Sequence, residues 1–471
     1  MNFNNIPSLV EQAEEALAPL YKKADAVAMA NYTRVQRAFA ERRVSERHFH
    51  PSTGYGYNDD GRATIDEVYA TVFGAERALV RHSVISGTHA LSAALFALTR
   101  PGHTLISVTG KPYDTLEGVI GIGDCQTFGS LRDHGVKYAQ VELSSDPASP
   151  FDESAVINAI KSIPGEKLIY IQRSRGYSLR PSVNCAQIAD IITKIKSISP
   201  ETPVLVDNCY GEFTEEYEPT HSGADLAVGS LIKNPGGTLA PGGGYIAGRA
   251  HLVEACVRRM LAPGLQADLG ASLGFNRLAF QGLFQAPQTV AQAIKGAVLA
   301  ATFFKSLGYP VMPDALPGQA GQPRQAGQPV QPEQAVYLGR AEHAVQAGQR
   351  SDIISALPGR SDIVQAIRLD DPEKLIRFCA AIQQACPLDA AFTPEASMLP
   401  GYSHPVIMAG GGFIQGSSSE LSADGPMYPP YIAYLQGGFS LAQIRLGLLL
   451  AAKALLPGDS TLAESKLNAA T

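Results

Sequence analysis

From residue 8 to about 44, apolar positions recur every three or four residues, a spacing that predicts one or two helices ahead of any strand. The stretch 50–62 (HPSTGYGYNDDGR) is dense in Gly, Asn, Asp and aromatics and predicts an irregular segment that presents side chains. Between 65 and about 300 the period changes. Short β-rich apolar runs at 78–85, 104–108, 168–172, 204–206, 226–229 and 244–247 alternate with helical stretches such as 90–98. That alternation predicts βα units building a mostly parallel sheet sandwiched by helices. In such folds ligands collect at the carboxyl ends of the strands, so the residues just after each run carry the most information.

Beyond 300 the pattern predicts a strand at 362–368, a helix at 372–386, a Gly/Ser-rich loop and a closing helix at 441–455. The expected division is N-terminal helices and arm (1–60), a large α/β domain (61–300) and a smaller α+β domain (301–471). Within the last, residues 315–360 collapse into Gln, Ala, Gly and Pro, with QAGQ at 319–322, 325–328 and 346–349, and ALPG at 315–318 and 356–359. We read a duplicated insertion in a surface loop that carries no chemistry.

Composition narrows the classes. In 471 residues, 45% are hydrophobic and 17% charged, which excludes a disordered chain or a coiled coil. With 38 Lys+Arg against 44 Asp+Glu and no basic block, no attraction to nucleic acid or an anionic membrane is written in the chain. Six dispersed cysteines without a CxxC pair argue for reduced thiols and against structural zinc. No basic-then-apolar leader opens the sequence, and its most apolar run, 446–456, is interrupted by Lys453. A cytoplasmic protein without a membrane segment is expected.

The most telling stretch is VLVDNCYGEF (204–213), followed by GSLIKNPGG (229–237). One strand ending in Asp207 and another leading to Ser230 and Lys233 bring an acid and an amine to the same sheet edge. Pyridoxal phosphate needs both: an acid against its pyridine nitrogen and a lysine for a Schiff base. Singly, Asp207 could be a cap or turn residue and Lys233 a solvated lysine. A third motif, SGTHAL (86–91), opens the helix at 90–98, where free N–H groups and the helix dipole suit a phosphate. Gly110-Lys111 lacks P-loop spacing, and the glycines of 236–244 lack a strand–GxGxxG–helix context, so nucleotide hydrolysis and dinucleotide binding find no support. His48 and His50, without a nearby Cys or carboxylate set, predict no metal site.

These motifs, with GKPYDTLEGVIG (110–121), QRSRGYSLRPS (172–182) and FIQGSSSELSADGP (413–426), make the chain resemble the fold-type I pyridoxal-phosphate enzymes, and more closely the methionine gamma-lyase-like family also labelled aluminium resistance proteins. The resemblance implies a Schiff-base Lys233, a pyridinium partner Asp207, and a phosphate cradle of Ser86, Gly87, Thr88 and Ser230. It implies Tyr113 as the ring stacked on the cofactor, with His89 a competing candidate. The segment with Tyr55, Tyr57 and Arg62 is similar to the arm that reaches a neighbouring subunit's cofactor phosphate in the cystathionine-lyase relatives. Arg173, Arg175 and Arg180 could grip a substrate carboxylate or serve in salt bridges. Related enzymes use an arginine of the small domain for that carboxylate, whereas 415–426 has none and Arg445 sits at a helical position.

The implied activity is a pyridoxal-phosphate-dependent carbon–sulfur lyase acting on a small sulfur-containing amino acid, as a homodimer or homotetramer. Alternatives are an aminotransferase or other amino-acid enzyme of this cofactor, or a non-catalytic relative serving metal or stress tolerance.

Overall fold

Whether a strand is apolar at every position or at alternate ones tells how many of its faces are covered, and here the central strands are apolar throughout. In the computed structural model, which describes residues 6–123, 128–144, 146, 148–315 and 359–456, seven strands form the larger sheet. They are β1 (Arg77–Arg81), β2 (Thr104–Ser107), β3 (Lys137–Gln140), β4 (Lys167–Gln172), β5 (Val204–Asp207), β6 (Leu226–Ser230) and β7 (Gly244–Gly248), in the order β1-β7-β6-β5-β4-β2-β3. Successive side chains of β4 and β5 enter opposite cores. Leu168, Tyr170 and Leu205 pack toward α3 (Gly87–Leu98) and α7 (Ala250–Met260). Ile169, Ile171, Val204 and Val206 pack toward α5 (Glu153–Ser162) and α6 (Cys185–Ile198).

Pairings from β6 through β5, β4 and β2 to β3 are parallel, while β7 runs antiparallel to both β6 and β1. Two reversals leave β1 parallel to β6. The carboxyl ends of β1, β2, β4, β5 and β6 therefore open on one edge, and the helix that follows β1 begins there too.

Downstream, β8 (Val311–Met312), β9 (Gln365–Arg368), β10 (Val406–Gly410), β11 (Ser422–Pro426) and β12 (Ile432–Gln436) form an antiparallel sheet in the order β10-β11-β12-β9-β8. It is packed by α9 (Pro372–Gln384) and α10 (Leu441–Ala454). The N-terminal periodicity resolves into one 36-residue helix, α1 (Ile6–Glu41), and α2 (Asp60–Phe73) follows it ahead of β1. The helix α1 lies along α8 (Phe275–Ser306), with Tyr32 and Phe284 ring centroids 4.7 Å apart. Buried Asn31 donates to the carbonyls of Phe213 and Glu215, tying α1 to the loop after β5.

Several expectations are corrected. The first strand stops at Arg81, and α3 begins at Gly87. The exposed edge strand β3 was not anticipated, its side chains being only half-buried or exposed. The stretch expected as a Gly/Ser-rich loop carries β10, β11 and β12. The helix α8 crosses position 300 without a break. The expected insertion at 315–360 lies, apart from residues 315, 359 and 360, outside the described residues.

Candidate active site

At the shared edge of β5 and β6 the chain leaves each strand in a tight turn, and a cleft of about 860 Å3 opens between these turns and the antiparallel sheet. Asp207 is the last residue of β5. Lys233 follows the last residue of β6 by three, in a turn whose Lys233 N–H bonds the Ser230 carbonyl. Both side chains line the cleft, together with Ser86, Gly87, Thr88, Tyr113 and Ser230.

Asp207 is buried. Burial pushes its carboxyl pKa up, while the Cys209 N–H (3.1 Å), the Tyr170 hydroxyl (3.1 Å) and the positive charge of Lys233 oppose that shift. An acid so placed favours a cationic partner. Lys233 is half-buried, and its Nζ lies 3.5 Å from the centroid of the Tyr210 ring, a cation–π contact. Tyr210 holds this position at φ +70, a left-handed conformation unusual for a tyrosine. Among the described residues Lys233 forms no ion pair, which leaves its amine to the cleft.

On the facing side, Ser86 caps α3 by accepting from the His89 N–H at 3.0 Å. The first-turn N–H groups have no intrahelical acceptor and suit an anion. Gly87 fits this place closely: a Cβ there would come 3.2 Å from Cys209 Sγ and 3.3 Å from Ser230 Cβ, so either neighbour would have to give by a few tenths of an ångström. Thr88 and Thr115 hydroxyls meet at 2.7 Å, tying this helix end to the start of α4 (Asp114–Ile120). An anion cradle, a buried acid and a free amine around one cleft are the donor set pyridoxal phosphate requires, so the residues present fit that cofactor.

Tyr113 reaches the cleft with its N–H bonded to Gln172 Oε1 (2.7 Å) and its hydroxyl 2.6 Å from that of Tyr402. Burial holds the Tyr113 hydroxyl well above its ordinary pKa, with Tyr210 and Tyr402 adding to the effect. His89, the competing ring, is exposed and outside the cleft lining.

The three arginines are not where a substrate grip was expected. Arg173 is fully buried, donating to Asn208, the Gly211 carbonyl and Glu215, with Glu218 3.6 Å away. Arg175 is buried against Asp362 at 3.2 Å. Arg180 donates to the carbonyls of Gln172 and Ser174. None lines the cleft: Arg173 and Arg180 are held by buried polar groups and strand-end carbonyls, and Arg175, whose Nε donates to Asp362, keeps Nη1 and Nη2 buried without a hydrogen-bond partner among the described residues. Arg445 pairs with Glu11 and Glu14 of α1. Arg62 is buried among the carbonyls of Gly56, Asp268 and Gly270, while Tyr57 is exposed; neither lines the cleft of its own chain.

Sequence reading missed Asp424, Tyr177, Tyr210, Tyr402 and Gln436, all lining the cleft. Tyr177 and Gln436 each donate to Asp424 Oδ2 at 2.9 Å. Burial pushes the Asp424 carboxyl up to about 6, against the pull of the Tyr177 bond and the Lys233 charge. Tyr177, Tyr210 and Asp424 fall inside the motifs at 172–182, 204–213 and 413–426, which was the available signal. Among the described residues no group of three or more His, Cys, Asp or Glu side chains gathers as a metal would need, and no helix is long and apolar enough to cross a membrane.

A sequence profile of the methionine gamma-lyase family matches residues 6–324 and 347–456. The chain is 43% identical over 447 residues to the uncharacterized protein YnbB of Bacillus subtilis (strain 168), covering 94% of this chain and 95% of that one. The crystal structure of a carbon-sulfur lyase involved in aluminum resistance from Clostridium novyi NT superposes with a TM-score of 0.83 at 39% identity, covering 96% of each chain.

Proposed function

The chain belongs to the methionine gamma-lyase family, and from that premise we propose that it is a pyridoxal-phosphate-dependent carbon–sulfur lyase acting on a small sulfur-containing amino acid. The observation that carries this reading is the meeting of Lys233, Asp207 and the amino end of α3 around one cleft.

Lys233 is the amine that would hold the cofactor's aldehyde end, Asp207 would serve its pyridine nitrogen, and Ser86, Gly87, Thr88 and Ser230 would receive the phosphate. When bound, the cofactor supplies an electron sink for charge developing at the substrate Cα. The amine of Lys233, held at the Tyr210 ring, takes the Cα proton and returns it during elimination. Tyr113 supplies a ring for the cofactor to pack against, and its hydroxyl, kept protonated by burial, can hand a proton to the departing sulfur. The carbon–sulfur bond breaks, the sulfur leaves as a thiol, and the unsaturated amine that remains tautomerises to an imine, which takes up one water to give a 2-oxo acid and ammonia. The exposed Tyr55–Tyr57 arm is assigned to the phosphate site of a second copy, making a homodimer the minimal active unit.

The reading is tested by supplying the protein with pyridoxal phosphate and S-alkyl-L-cysteines or methionine, then following thiol and 2-oxo acid together. Equimolar release of both supports it. Formation of the 2-oxo acid only when an oxo-acid acceptor is added, without thiol, replaces it with transamination.

A further inference from the structure

The charges lining the cleft are unevenly used. Among the described residues there, Lys233 is the only cation, set against the carboxylates Asp207, Asp389, Glu420 and Asp424. Asp389 is exposed at the mouth. Both oxygens of Glu420 are taken, accepting from the N–H groups of Phe413 and Ile414 at 2.8 Å each. Asp207 faces the cofactor nitrogen in the reading above. Asp424 remains: it is 8% exposed, and Oδ2 accepts from Tyr177 and Gln436 while Oδ1 accepts no hydrogen bond from any described residue.

The setting of Asp424 is fixed. It lies within β11, paired with Met408 of β10 and Tyr434 of β12. Its partner Tyr177 is packed between Tyr434 and Tyr402, at ring-centroid distances of 5.2 and 5.9 Å. The rings of Tyr113, Tyr177, Tyr210 and Tyr402 also border the cleft. A carboxylate with one free oxygen among tyrosine rings is the chemistry that receives an ammonium group. It would repel a carboxylate, and no arginine among the described residues lines the cleft to reverse that preference.

We propose that Asp424 and the tyrosine rings around it form a subsite for an ammonium group on the sulfur-bound arm of the substrate. The preferred substrate class is then a thioether amino acid whose leaving thiol carries an amine. The proposal rests on the lyase reading for its orientation, and its test separates the two.

S-(2-aminoethyl)-L-cysteine and S-propyl-L-cysteine are nearly the same size and differ by an ammonium in place of a methyl. For the wild-type protein loaded with pyridoxal phosphate, kcat/KM of each compound and its calorimetric Kd would be measured. A preference of about tenfold or more for the aminoethyl compound is expected in both quantities, as a charge-assisted contact implies. In Asp424→Asn the ratio between the two compounds should fall toward one, and because the ratio is taken within each protein, any general loss of turnover cancels. Equal kcat/KM and equal Kd in the wild type overturn the subsite while the lyase reading stands. Preferential binding of the aminoethyl compound without thiol release from either one keeps the subsite and removes the lyase reading. A preference unchanged in Asp424→Asn assigns the ammonium elsewhere and overturns the role of Asp424. The wild-type comparison needs no variant, so a failure of Asp424→Asn to fold leaves it decisive.

Discussion

The two walls of the cleft are built by different means. On one wall, Asp207 and Lys233 stand at or just beyond the ends of neighbouring parallel strands whose apolar runs fix the register, and the α3 amino end faces them. On the other, Asp424, Gln436 and Tyr402 come from an antiparallel sheet and the loop before it, and are connected through Tyr177 and Tyr113 of the first wall. In the proposed reading the first wall holds the groups that the cofactor requires, while the second would meet the part of the substrate that varies. Chemistry and selectivity would then reside on separate elements of the fold, and changes to each should be distinguishable.

The largest expected effect falls outside both walls and sharpens the contrast. Arg173 is the buried counter-charge of Glu215 and shares Glu218 with Arg34, so Arg173→Ala leaves Glu215 without its cation in the interior. It should cost about 3–5 kcal/mol of stability by denaturant unfolding. Unchanged stability with a raised KM would return Arg173 to the substrate. On the first wall, Asp207→Asn removes the acid that the proposed reading sets against the cofactor nitrogen and should lower kcat about 100-fold or more, the scale of a lost acid–base contribution. An equal effect of Asp424→Asn on the S-propyl substrate would erase the distinction between the walls.

A pH series probes the second wall more finely. Since burial raises Asp424 to about 6, the carboxylate is charged at pH 7.5 and increasingly protonated below pH 6. The ionisable groups around it besides Lys233 are Tyr113, Tyr177, Tyr210, Tyr402 and Cys379, all pushed up by burial and neutral across this range. The preference for the aminoethyl over the propyl substrate should therefore shrink toward one as pH falls from 7.5 to 5, following the ionised fraction of Asp424, which is about a tenth one unit below the pKa. A preference constant across that range would contradict it. The smallest effect is expected of Tyr402→Phe, which deletes the hydroxyl 2.6 Å from that of Tyr113. Losing one such bond corresponds to about 1 kcal/mol, or roughly fivefold in kcat with KM little changed.

The same contrast explains what the sequence disclosed. The strands carrying Asp207 and Ser230 are short, apolar up to their carboxyl ends and bounded by turn residues, so the edge at which Lys233 lies could be found from pattern alone. The strand carrying Asp424 reads SADGP, with no alternation and with both Gly and Pro, and its residues become a strand only through pairing with β10 and β12. The role of Asp424 depends on Tyr177, 247 positions away. The arginines misled for a related reason. Arg173 follows a strand end, as a binding residue would, but its partners lie in the acid-rich run Glu212, Glu215, Glu216 and Glu218 just after the Asp207 motif. That run was a visible signal that a buried cation had to be found nearby.

The central claim is that Lys233 is the amine that holds pyridoxal phosphate. The direct measurement is the visible spectrum of the cofactor-loaded protein before and after borohydride, followed by peptide mapping of the reduced product. The account predicts a visible band that borohydride abolishes, with the label on the peptide containing Lys233, and neither band nor label in Lys233→Ala. Absence of a band in the loaded wild type, or a label on a different lysine, would contradict it.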